Sequence, residues 1–312
     1  MATRREHETV MLEPAVTALV TDRAGCYVDG TFGRGGHSRA ILDALDDSGR
    51  LLGIDADPRA IAAGKALASD DGRFAIRQGA FDGLQGWLAE LEWPSIAGLL
   101  LDLGVSSPQL DEAERGFSFM HDGPLDMRMN PDAGQSAAQW LAEAEEKEIA
   151  DVIFRYGEAR FARRIARAIV RERDVTPITG TLQLAEIVKQ ANPAWEKHKH
   201  PATRAFQAIR IHINNELDAL QRVLDSALEA LHPGGRMVVI SFHSLEDRLV
   251  KQFIHKHSKG DDLPRHLPVM ASQFQPVLRK IGKAVKPAAE EVAANPRARS
   301  AIMRVAEKTG AA

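Results

Sequence analysis

Residues Cys26–His37 read CYVDGTFGRGGH, an apolar run that ends in an acid and leads into glycines. The same order of apolar run and terminal aspartate returns at Arg50–Asp55 (RLLGID) and at Ala97–Asp102 (AGLLLD). Phe74–Gln78 (FAIRQ) is a further run of this kind between them. Helical patterns separate the runs, and strands that alternate with helices of roughly ten residues are typical of βαβ units and a parallel sheet.

The separating helices are predicted at Arg59–Ser69 and Leu84–Leu91. Three of the four strands stop at an aspartate, namely Asp29, Asp55 and Asp102. In an open α/β sheet the carboxyl ends of the strands face the ligand crevice. The three aspartates are therefore expected to meet there.

This alternation ends after the fourth strand. From Ser106 to about Lys199 no run is typical of a strand, and the breaker His232–Gly235 (HPGG) closes a long helical pattern. The simplest account is a doubly wound, mostly parallel α/β sheet in residues 1–105 and 210–312, with a smaller helical insert at 106–209. Later helices are expected at Gln139–Phe154, Arg160–Arg173 and about Thr203–Leu231, strands at Arg236–Phe242, Gln275–Ile281 and Ala301–Val305, and a loop at Lys286–Asn295.

Composition narrows the class of protein. The chain has 312 residues, is 44% hydrophobic and 27% charged, and so belongs with globular proteins of one large or two unequal domains. No stretch approaches the ~20 apolar residues of a membrane helix. The single cysteine, Cys26, can form neither an internal disulfide nor a Cys-rich zinc site, which fits a cytoplasmic location. With a net charge of −3, any surface for nucleic acid has to be local.

The glycine loop carries the first functional signal. Gly33, Gly35 and Gly36 follow a strand, but their spacing does not match the GxGxxG turn of dinucleotide-binding proteins. An acid before the glycines, Asp29, suits a cationic or amino-bearing ligand better than a pyrophosphate. Taken alone, this loop is also compatible with a purely structural turn.

The strand-end aspartates make a nucleoside-bearing cofactor the better interpretation. Asp55 stands where an acid can accept both hydroxyls of a ribose, whereas Asp57 precedes Pro58 and is expected to cap a helix. Each aspartate alone is equally compatible with a solvated strand end or a cap. Together with the glycine loop they favour S-adenosylmethionine, with its adenine near Gly79–Phe81 and its amino-acid moiety over Gly35–His37.

Six longer runs carry a resemblance to a known family. The sequence resembles the ribosomal RNA small subunit methyltransferase H family, also called MraW. The runs are spread over nearly the whole chain. They are His7–Leu12 (HETVML), Asp29–Ser38 (DGTFGRGGHS), Leu101–Leu110 (LDLGVSSPQL), Arg115–Met129 (RGFSFMHDGPLDMRM), His200–Leu217 (HPATRAFQAIRIHINNEL) and Ser241–Val250 (SFHSLEDRLV).

This resemblance implies a Rossmann-like methyltransferase domain that carries a smaller helical insert. It also implies an S-adenosylmethionine-dependent enzyme that methylates N4 of a decoding-centre cytidine in 16S rRNA of the small ribosomal subunit. The strand-end pattern predicts Asp29 and Gly33 as cofactor contacts, in addition to those that the resemblance implies by position. Those contacts are Gly35, Gly36, His37, Asp55, Phe81, Asp102 and Gln109.

The chemistry of amine methylation points to the turn after the fourth strand. Amino-methyltransferases commonly place a short (Asp/Asn/Ser)-Pro-Pro-aromatic turn there, whose oxygens accept hydrogen bonds from the amine. Ser106, Ser107 and Pro108 are similar but lack the second proline and the aromatic residue. We take them, with Asp102, as catalytic candidates. His243 could relay the proton released from the amine, although a satisfied structural histidine is an equal alternative.

RNA contacts are predicted on two basic clusters. Five arginines recur at three- and four-residue steps and so share one face of a helix, which makes either an RNA surface or a solvated charged face. They are Arg160, Arg163, Arg164, Arg167 and Arg171. A second cluster contains Arg279 and Lys280. The histidines at 198, 200, 255 and 257 lack a zinc-site pattern, so we expect no metal and interpret those stretches as basic surface.

Two other functions remain open from the sequence. A nicotinamide-dependent oxidoreductase is disfavoured by the glycine spacing and the Ser-Ser-Pro turn. A non-catalytic RNA-binding factor of ribosome assembly is disfavoured by the three intact aspartates. The sequence leaves open whether the protein is a monomer or a homodimer.

Overall fold

A computed structural model of the chain describes residues 9–194, 200–259 and 276–310. The chain forms two compact units. Unit 1 comprises Met1–Gly104 and Asp218–Ala312, and unit 2 comprises Val105–Leu217. The boundary expected after residue 209 falls inside the helix Thr203–Ile213, and the unit ends at Leu217 instead.

Unit 1 is built on one seven-stranded sheet with the order β3-β2-β1-β4-β5-β7-β6. Strands β1 to β5 are parallel, and β7 runs antiparallel to both β5 and β6. The strands are β1 (Cys26–Asp29), β2 (Arg50–Asp55), β3 (Phe74–Gln78), β4 (Ile96–Asp102), β5 (Leu231–Ser241), β6 (Leu278–Val285) and β7 (Ile302–Lys308). The prediction of a doubly wound, mostly parallel sheet is confirmed.

The helices are numbered in chain order. They are α1 (Leu12–Leu19), α2 (Gly36–Ala44), α3 (Pro58–Asp70), α4 (Leu84–Glu90), α5 (Ser107–Asp111), α6 (Ala137–Glu143), α7 (Glu146–Gly157), α8 (Ala162–Arg173), α9 (Thr181–Ala191), α10 (Thr203–Ile213), α11 (Glu216–Ala230), α12 (Ser244–Ser258) and α13 (Ala289–Ala294). Alternate residues of β4 enter different hydrophobic clusters: Leu99 and Leu101 lie in one and Leu100 in the other. The sheet of unit 1 therefore has an apolar core on both faces.

The single helix expected at Gln139–Phe154 is wrong, because the chain forms α6 and α7 with extended residues Ala144 and Glu145 between them. A tertiary contact accounts for the break. The guanidinium of Arg173 donates to the carbonyl oxygens of Leu141 at 2.5 Å and of Ala144 at 2.6 Å. Those carbonyls are left without helical partners at the end of α6, so the arginine stabilises an early stop.

The long helix expected at Thr203–Leu231 is likewise divided into α10 and α11. Asn214 accepts from the backbone N–H of Met129 at 2.7 Å and donates to the carbonyl of Met127 at 2.7 Å. Asn215 then adopts a left-handed conformation with φ of 50°. Asparagine tolerates this conformation better than most residues, so the chain turns here without a glycine.

One further expectation needs correction. The loop expected at Lys286–Asn295 contains α13, whose composition of alanine and glutamate favours a helix. The breaker His232–Gly235 follows the end of α11 at Ala230, as expected, and lies within β5, whose pairing with β4 shifts register between Ile96 and Gly98. In the described residues, no helix combines the length and the apolar character that crossing a membrane requires.

Candidate functional site

The three strand-end aspartates lie at the ends of neighbouring strands of unit 1. Asp29, Asp55 and Asp102 are the last residues of β1, β2 and β4, which are adjacent in the order β2-β1-β4. Each points to the same face of the sheet as Tyr27, Leu51 and Leu100, respectively, since side chains two residues apart share a face. Those three apolar residues belong to one cluster, so the three carboxyl groups occupy one side of the sheet.

Asp29 is completely buried and tightly hydrogen-bonded. Its Oδ2 accepts from the Ser38 hydroxyl at 2.7 Å, and its Oδ1 accepts from the backbone N–H of Thr31 at 3.2 Å. Burial raises the pKa of Asp29 to about 6, and nearby Asp55 acts in the same direction, against these hydrogen bonds. This carboxyl therefore anchors the start of the glycine loop to α2.

Asp55 holds the opposite side of the same loop. Its Oδ2 accepts from the backbone N–H of Gly33 at 2.7 Å, and its Oδ1 accepts from that of Asp57 at 2.8 Å. Burial raises the pKa of Asp55 to about 6. Asp57 caps α3 by accepting from Arg59 N–H at 2.9 Å, as the sequence predicted.

Asp102 and His37 present polar atoms that no described residue satisfies. Nδ1 of His37 lies 3.8 Å from Oδ2 of Asp102, while His37 Nε2 and Asp102 Oδ1 are buried and have no hydrogen-bond partner among the described residues. Burial, with Asp29 and Glu246 nearby, raises the pKa of Asp102 well above its usual value. Burial lowers the pKa of His37 to about 4, so its ring is neutral at physiological pH.

The glycine loop requires glycine for two different reasons. Gly33 and Gly35 have φ of 56° and 75°, in the left-handed region. Gly36 instead has a close neighbour: a Cβ at this position would lie 1.9 Å from Oγ1 of Thr9. Gly35 caps the N-terminus of α2, and His37 lies in the first turn of that helix.

Phe81 starts a short 3₁₀ turn at Phe81–Gly83, directly after β3. It is half-buried against the apolar cluster that contains Leu101. A Cβ on Gly30, at the end of β1, would lie 3.4 Å from the Cβ of Phe81. The structure therefore brings Phe81 to the same end of the sheet as the aspartates.

The Ser106–Gln109 turn belongs to unit 2 and starts α5. Ser106 and Gln109 form a capping box, in which the Gln109 Oε1 accepts from the Ser106 N–H at 2.9 Å. Ser106, Ser107 and Pro108 are half-buried, and Gln109 is buried. The serine-proline pair thus has a clear local role as a helix start, which neither supports nor excludes its predicted contact with a substrate amine.

His243, the predicted proton relay, is the N-cap of α12 in unit 1. Its Nδ1 accepts from the backbone N–H of Glu246 at 3.4 Å, and its Nε2 lies 3.0 Å from Glu246 Oε1. Glu246 in turn accepts from the backbone N–H of Phe242 at 2.8 Å. His243 Nε2 is nevertheless buried without a hydrogen bond among the described residues, so only one nitrogen of the ring is satisfied, and both the structural role and the relay stay predictions.

A sequence profile described as the MraW methylase family matches residues 4–309. The chain belongs to this family.

Three curated proteins, each named Ribosomal RNA small subunit methyltransferase H, are similar to this MraW-family chain over its whole length. The protein from Chromohalobacter salexigens is 60% identical over 306 residues, covering 97% of this chain and 92% of the relative. That from Marinomonas sp. is 57% identical over 307 residues, covering 98% of each. That from Nitrosococcus oceani is 59% identical over 304 residues, covering 97% of this chain and 96% of the relative.

The arginines predicted to bind RNA form an exposed face of α8 and the residues before it in this MraW-family chain. All five side chains are exposed, whereas Ala162, Ile165, Ala166 and Ile169 are buried in the core of unit 2. Arg163 and Arg164 form no ion pair with any residue that the structure describes. Arg167 lies 3.6 Å from Glu146, and Arg171 pairs with its neighbour Glu172 at 2.7 Å.

The second basic cluster is less available for binding RNA. Arg279 on β6 forms an ion pair with Glu307 of β7, and Glu307 also pairs with Arg236 at 3.0 Å. Lys280 is exposed on the same edge strand. Among the histidines interpreted as basic surface, His257 packs its ring on Phe253 at 4.6 Å, and His198 lies outside the described residues.

Sequence reasoning missed the residues that hold the glycine loop in place. Thr9 packs on Gly36, Ser38 binds Asp29, and the Thr31 hydroxyl accepts from the backbone N–H of Asp102 at 2.6 Å. Thr31 and Ser38 flank the glycines, so a search for hydroxyls able to bind a strand-end acid could have found them. Thr9 is distant in sequence, and its only signal was its place in the run His7–Leu12 that carries the family resemblance.

Proposed function

We propose that this chain transfers a methyl group from S-adenosylmethionine to the N4 amine of a decoding-centre cytidine in 16S rRNA. The family and the names of its relatives support methylation of small-subunit rRNA. The choice of the N4 amine rests on the Ser106–Gln109 turn and on the family resemblance of the runs quoted above. We infer that a reaction on such an rRNA substrate takes place in the cytoplasm.

The observation that carries the proposal is the cluster of Asp29, Asp55 and Asp102 around the glycine loop. S-adenosylmethionine bears a sulfonium and an ammonium group, and an acidic, largely desolvated site favours such a cation. The buried atoms His37 Nε2 and Asp102 Oδ1 have no partner among the described residues, and buried polar atoms are normally hydrogen-bonded. A polar ligand at this position would satisfy them.

Different residues of unit 1 would bind different parts of the cofactor. Asp55 would accept from the ribose hydroxyls, Phe81 would lie along the adenine, and Gly35–His37 would cover the amino-acid moiety. Gly33 would let the backbone approach the cofactor closely because it carries no side chain, whereas Gly36 leaves room for Thr9. Asp29 would act mainly by holding the loop, because it is completely buried, whereas Asp55 is half-buried. Gln109 stays a contact predicted from the resemblance.

When bound, S-adenosylmethionine supplies a methyl carbon that is electrophilic because it is attached to a cationic sulfur. The N4 amine of cytosine is a poor nucleophile, since its lone pair is delocalised into the ring. Oxygens of the turn Ser106–Pro108 would accept from this amine and hold it in line with the methyl group. Accepting the methyl group would leave the amine nitrogen positively charged, and His243 or water would take up the proton that this nitrogen then loses.

RNA would be held by phosphate contacts rather than by base recognition. The exposed arginines of α8 match phosphate geometry, and phosphate contacts supply affinity without sequence information. The target cytosine would have to leave its stack to reach a methyl donor, as in other enzymes that modify bases.

The decisive experiment is methyl transfer to small ribosomal subunits that lack the modification, followed by mass spectrometry of the digested nucleosides. We expect N4-methylcytidine. A C5-methyltransferase of cytosine would need a cysteine nucleophile, and the only cysteine, Cys26, lies at the start of β1, away from the carboxyl ends of the strands. The appearance of 5-methylcytidine would contradict the proposed role of the turn.

Control variants separate catalysis from binding. Asp55→Ala and Asp102→Ala should each weaken cofactor binding by roughly 10- to 150-fold, the effect of losing a hydrogen bond to a charged group worth about 1.5–3 kcal/mol. Asp102→Ala is the cleaner of the two, because Asp55 also holds Gly33. A wild-type protein that binds RNA but neither binds S-adenosylmethionine nor methylates would instead be a non-catalytic assembly factor.

A further inference from the structure

Residues Thr9–Met11, here called the N-terminal strap, lie directly on the glycine loop of unit 1. Thr9 is the side chain that excludes a Cβ at Gly36. The backbone of Val10 interacts with the ring of His37. Val10 and Met11 are buried in the same apolar cluster as Phe32 of the loop. The strap therefore touches two residues, Gly36 and His37, that we propose bind the cofactor.

The strap is held in a strained conformation. Met11 has φ of 53° and ψ of 35°, a left-handed conformation that is unfavourable for a residue with a long side chain. Its side chain is nevertheless 1% exposed. Such a conformation persists only where surrounding contacts enforce it, and it is found preferentially at functional sites.

One enforcing contact comes from the other end of the chain. The carboxylate of Glu291 accepts from the backbone N–H of Met11 at 2.6 Å, across 280 positions of sequence. Glu291 lies in the first turn of α13, a helix with no buried residue of its own. Helix α13 contributes no buried residue to a hydrophobic core, and the hydrogen bond from Met11 to Glu291 joins this helix to the strap.

We propose that Glu291 is a positioning residue for the cofactor: it fixes Met11, and through the strap it fixes Gly36 and His37 in the geometry that binds the amino-acid moiety. This inference rests on the proposed use of S-adenosylmethionine. Glu291 touches neither cofactor nor substrate in this scheme. Its effect should therefore appear in cofactor affinity and leave the transfer step unchanged.

The test compares three variants of the full chain. Glu291→Ala removes the acceptor, Glu291→Gln keeps an oxygen that can accept from Met11 N–H, and Glu290→Ala changes an exposed neighbour in the same helix turn. Titration calorimetry with S-adenosylmethionine should give about 10-fold weaker binding for Glu291→Ala, the lower end of what losing such a hydrogen bond produces. The affinity of Glu291→Gln for S-adenosylmethionine should stay within about threefold of the wild-type value. The affinity of Glu290→Ala should equal the wild-type value.

Kinetics on small ribosomal subunits separate positioning from general stability. For Glu291→Ala, KM for S-adenosylmethionine should rise by about the same 10-fold factor while kcat at saturating cofactor stays at the wild-type value. A variant with a lower melting temperature but wild-type cofactor affinity would overturn the inference and leave Glu291 a structural residue only. If the wild-type protein itself bound no S-adenosylmethionine, the proposed function would fail as well, which distinguishes the two results.

Discussion

Burial controls the ionisation of Asp29 and Asp55, and through it the kind of ligand that these side chains favour. Both carboxyls accept two hydrogen bonds within the glycine loop region, and yet burial keeps the pKa of each raised to about 6. Desolvation therefore outweighs the stabilisation of the charged form by its donors. A cationic ligand would reverse this balance, because it supplies the opposite charge that the protein interior lacks.

These pKa values predict a pH dependence of cofactor binding. Affinity for S-adenosylmethionine should rise between pH 5 and pH 7, as Asp29 and Asp55 lose their protons near pH 6. Calorimetry across this range checks it. Asp55→Asn should bind more weakly and show a smaller rise, since one of the groups that titrate near pH 6 is gone. An affinity that is flat from pH 5 to pH 7 in the wild type would contradict the prediction.

The free energy of unfolding of the cofactor-free protein should change with pH in the opposite direction, and fall as the pH rises. A carboxyl whose folded pKa lies above its unfolded value stabilises the fold fully below the unfolded pKa, near 3.8, and this contribution is lost as the pH rises through about 6. Bound cofactor adds stability according to its affinity. The rise in melting temperature that a fixed cofactor concentration produces should thus be larger at pH 7.5 than at pH 5.5.

At the scale of single elements, α8 has two chemically different faces. Its buried face contributes Ile165 and Ile169 to the core of unit 2, and its exposed residues Arg163, Arg164, Arg167 and Arg171 recur at helical spacing. Arg167 is 77% exposed, so its 3.6 Å contact with Glu146 is worth little and does not prevent it from binding phosphate. The arginines are free to exchange these weak partners for RNA.

Replacing Arg163, Arg164 and Arg167 together with glutamine should weaken binding of substrate RNA and flatten its dependence on salt. For single-stranded or irregular RNA, the slope of log affinity against log salt should fall by roughly 0.7 for each phosphate that the variant no longer binds. Titrations at several salt concentrations measure it. Affinity for S-adenosylmethionine should not change, and Lys65→Gln on the exposed face of α3 is a control for loss of positive charge. An unchanged slope would leave the arginines as a solvated helix face.

Arg173, at the end of the same helix, should behave differently because it is structural. Arg173→Met keeps a long side chain but removes the donors to Leu141 and Ala144. Leaving these carbonyls unsatisfied should destabilise unit 2 by about 1–3 kcal/mol. Urea unfolding followed by tryptophan fluorescence measures this, since Trp140 of α6 lies in that core. Unchanged stability would mean that water replaces the guanidinium without loss.

The elements that sequence predicts well are those whose limits are set locally. Strands β1, β2 and β3 have the predicted bounds, because each apolar run is closed by polar residues or by glycine. The ends of α6 and α10 were missed because they depend on Arg173 and on the residues Met127–Met129, which are distant in sequence. Likewise the strand-end aspartates were identifiable from the pattern, whereas Thr9 and Glu291 gain meaning only from tertiary contacts.

At the scale of the whole molecule, unit 1 is assembled from two separated stretches of sequence. Strands β4 and β5 are neighbours in the sheet, with Asp102 paired to Ile240, yet all of unit 2 lies between them in the chain. Unit 2, by contrast, is one continuous stretch from Val105 to Leu217 with a hydrophobic core of its own.

This discontinuity has a consequence for synthesis on the ribosome. Chains emerge from the N-terminus, and domains generally fold as units. Unit 2 has all of its residues available once Leu217 has emerged, while β1 to β4 still await β5, β7 and β6 to complete their sheet. The strap contact between Met11 and Glu291 can form only after nearly the entire chain has been made. The β5-pairing edge of β4 therefore stays unpaired while the 128 residues between Asp102 and Leu231 are made, a stage at which the nascent sheet is exposed to aggregation and depends on chaperones.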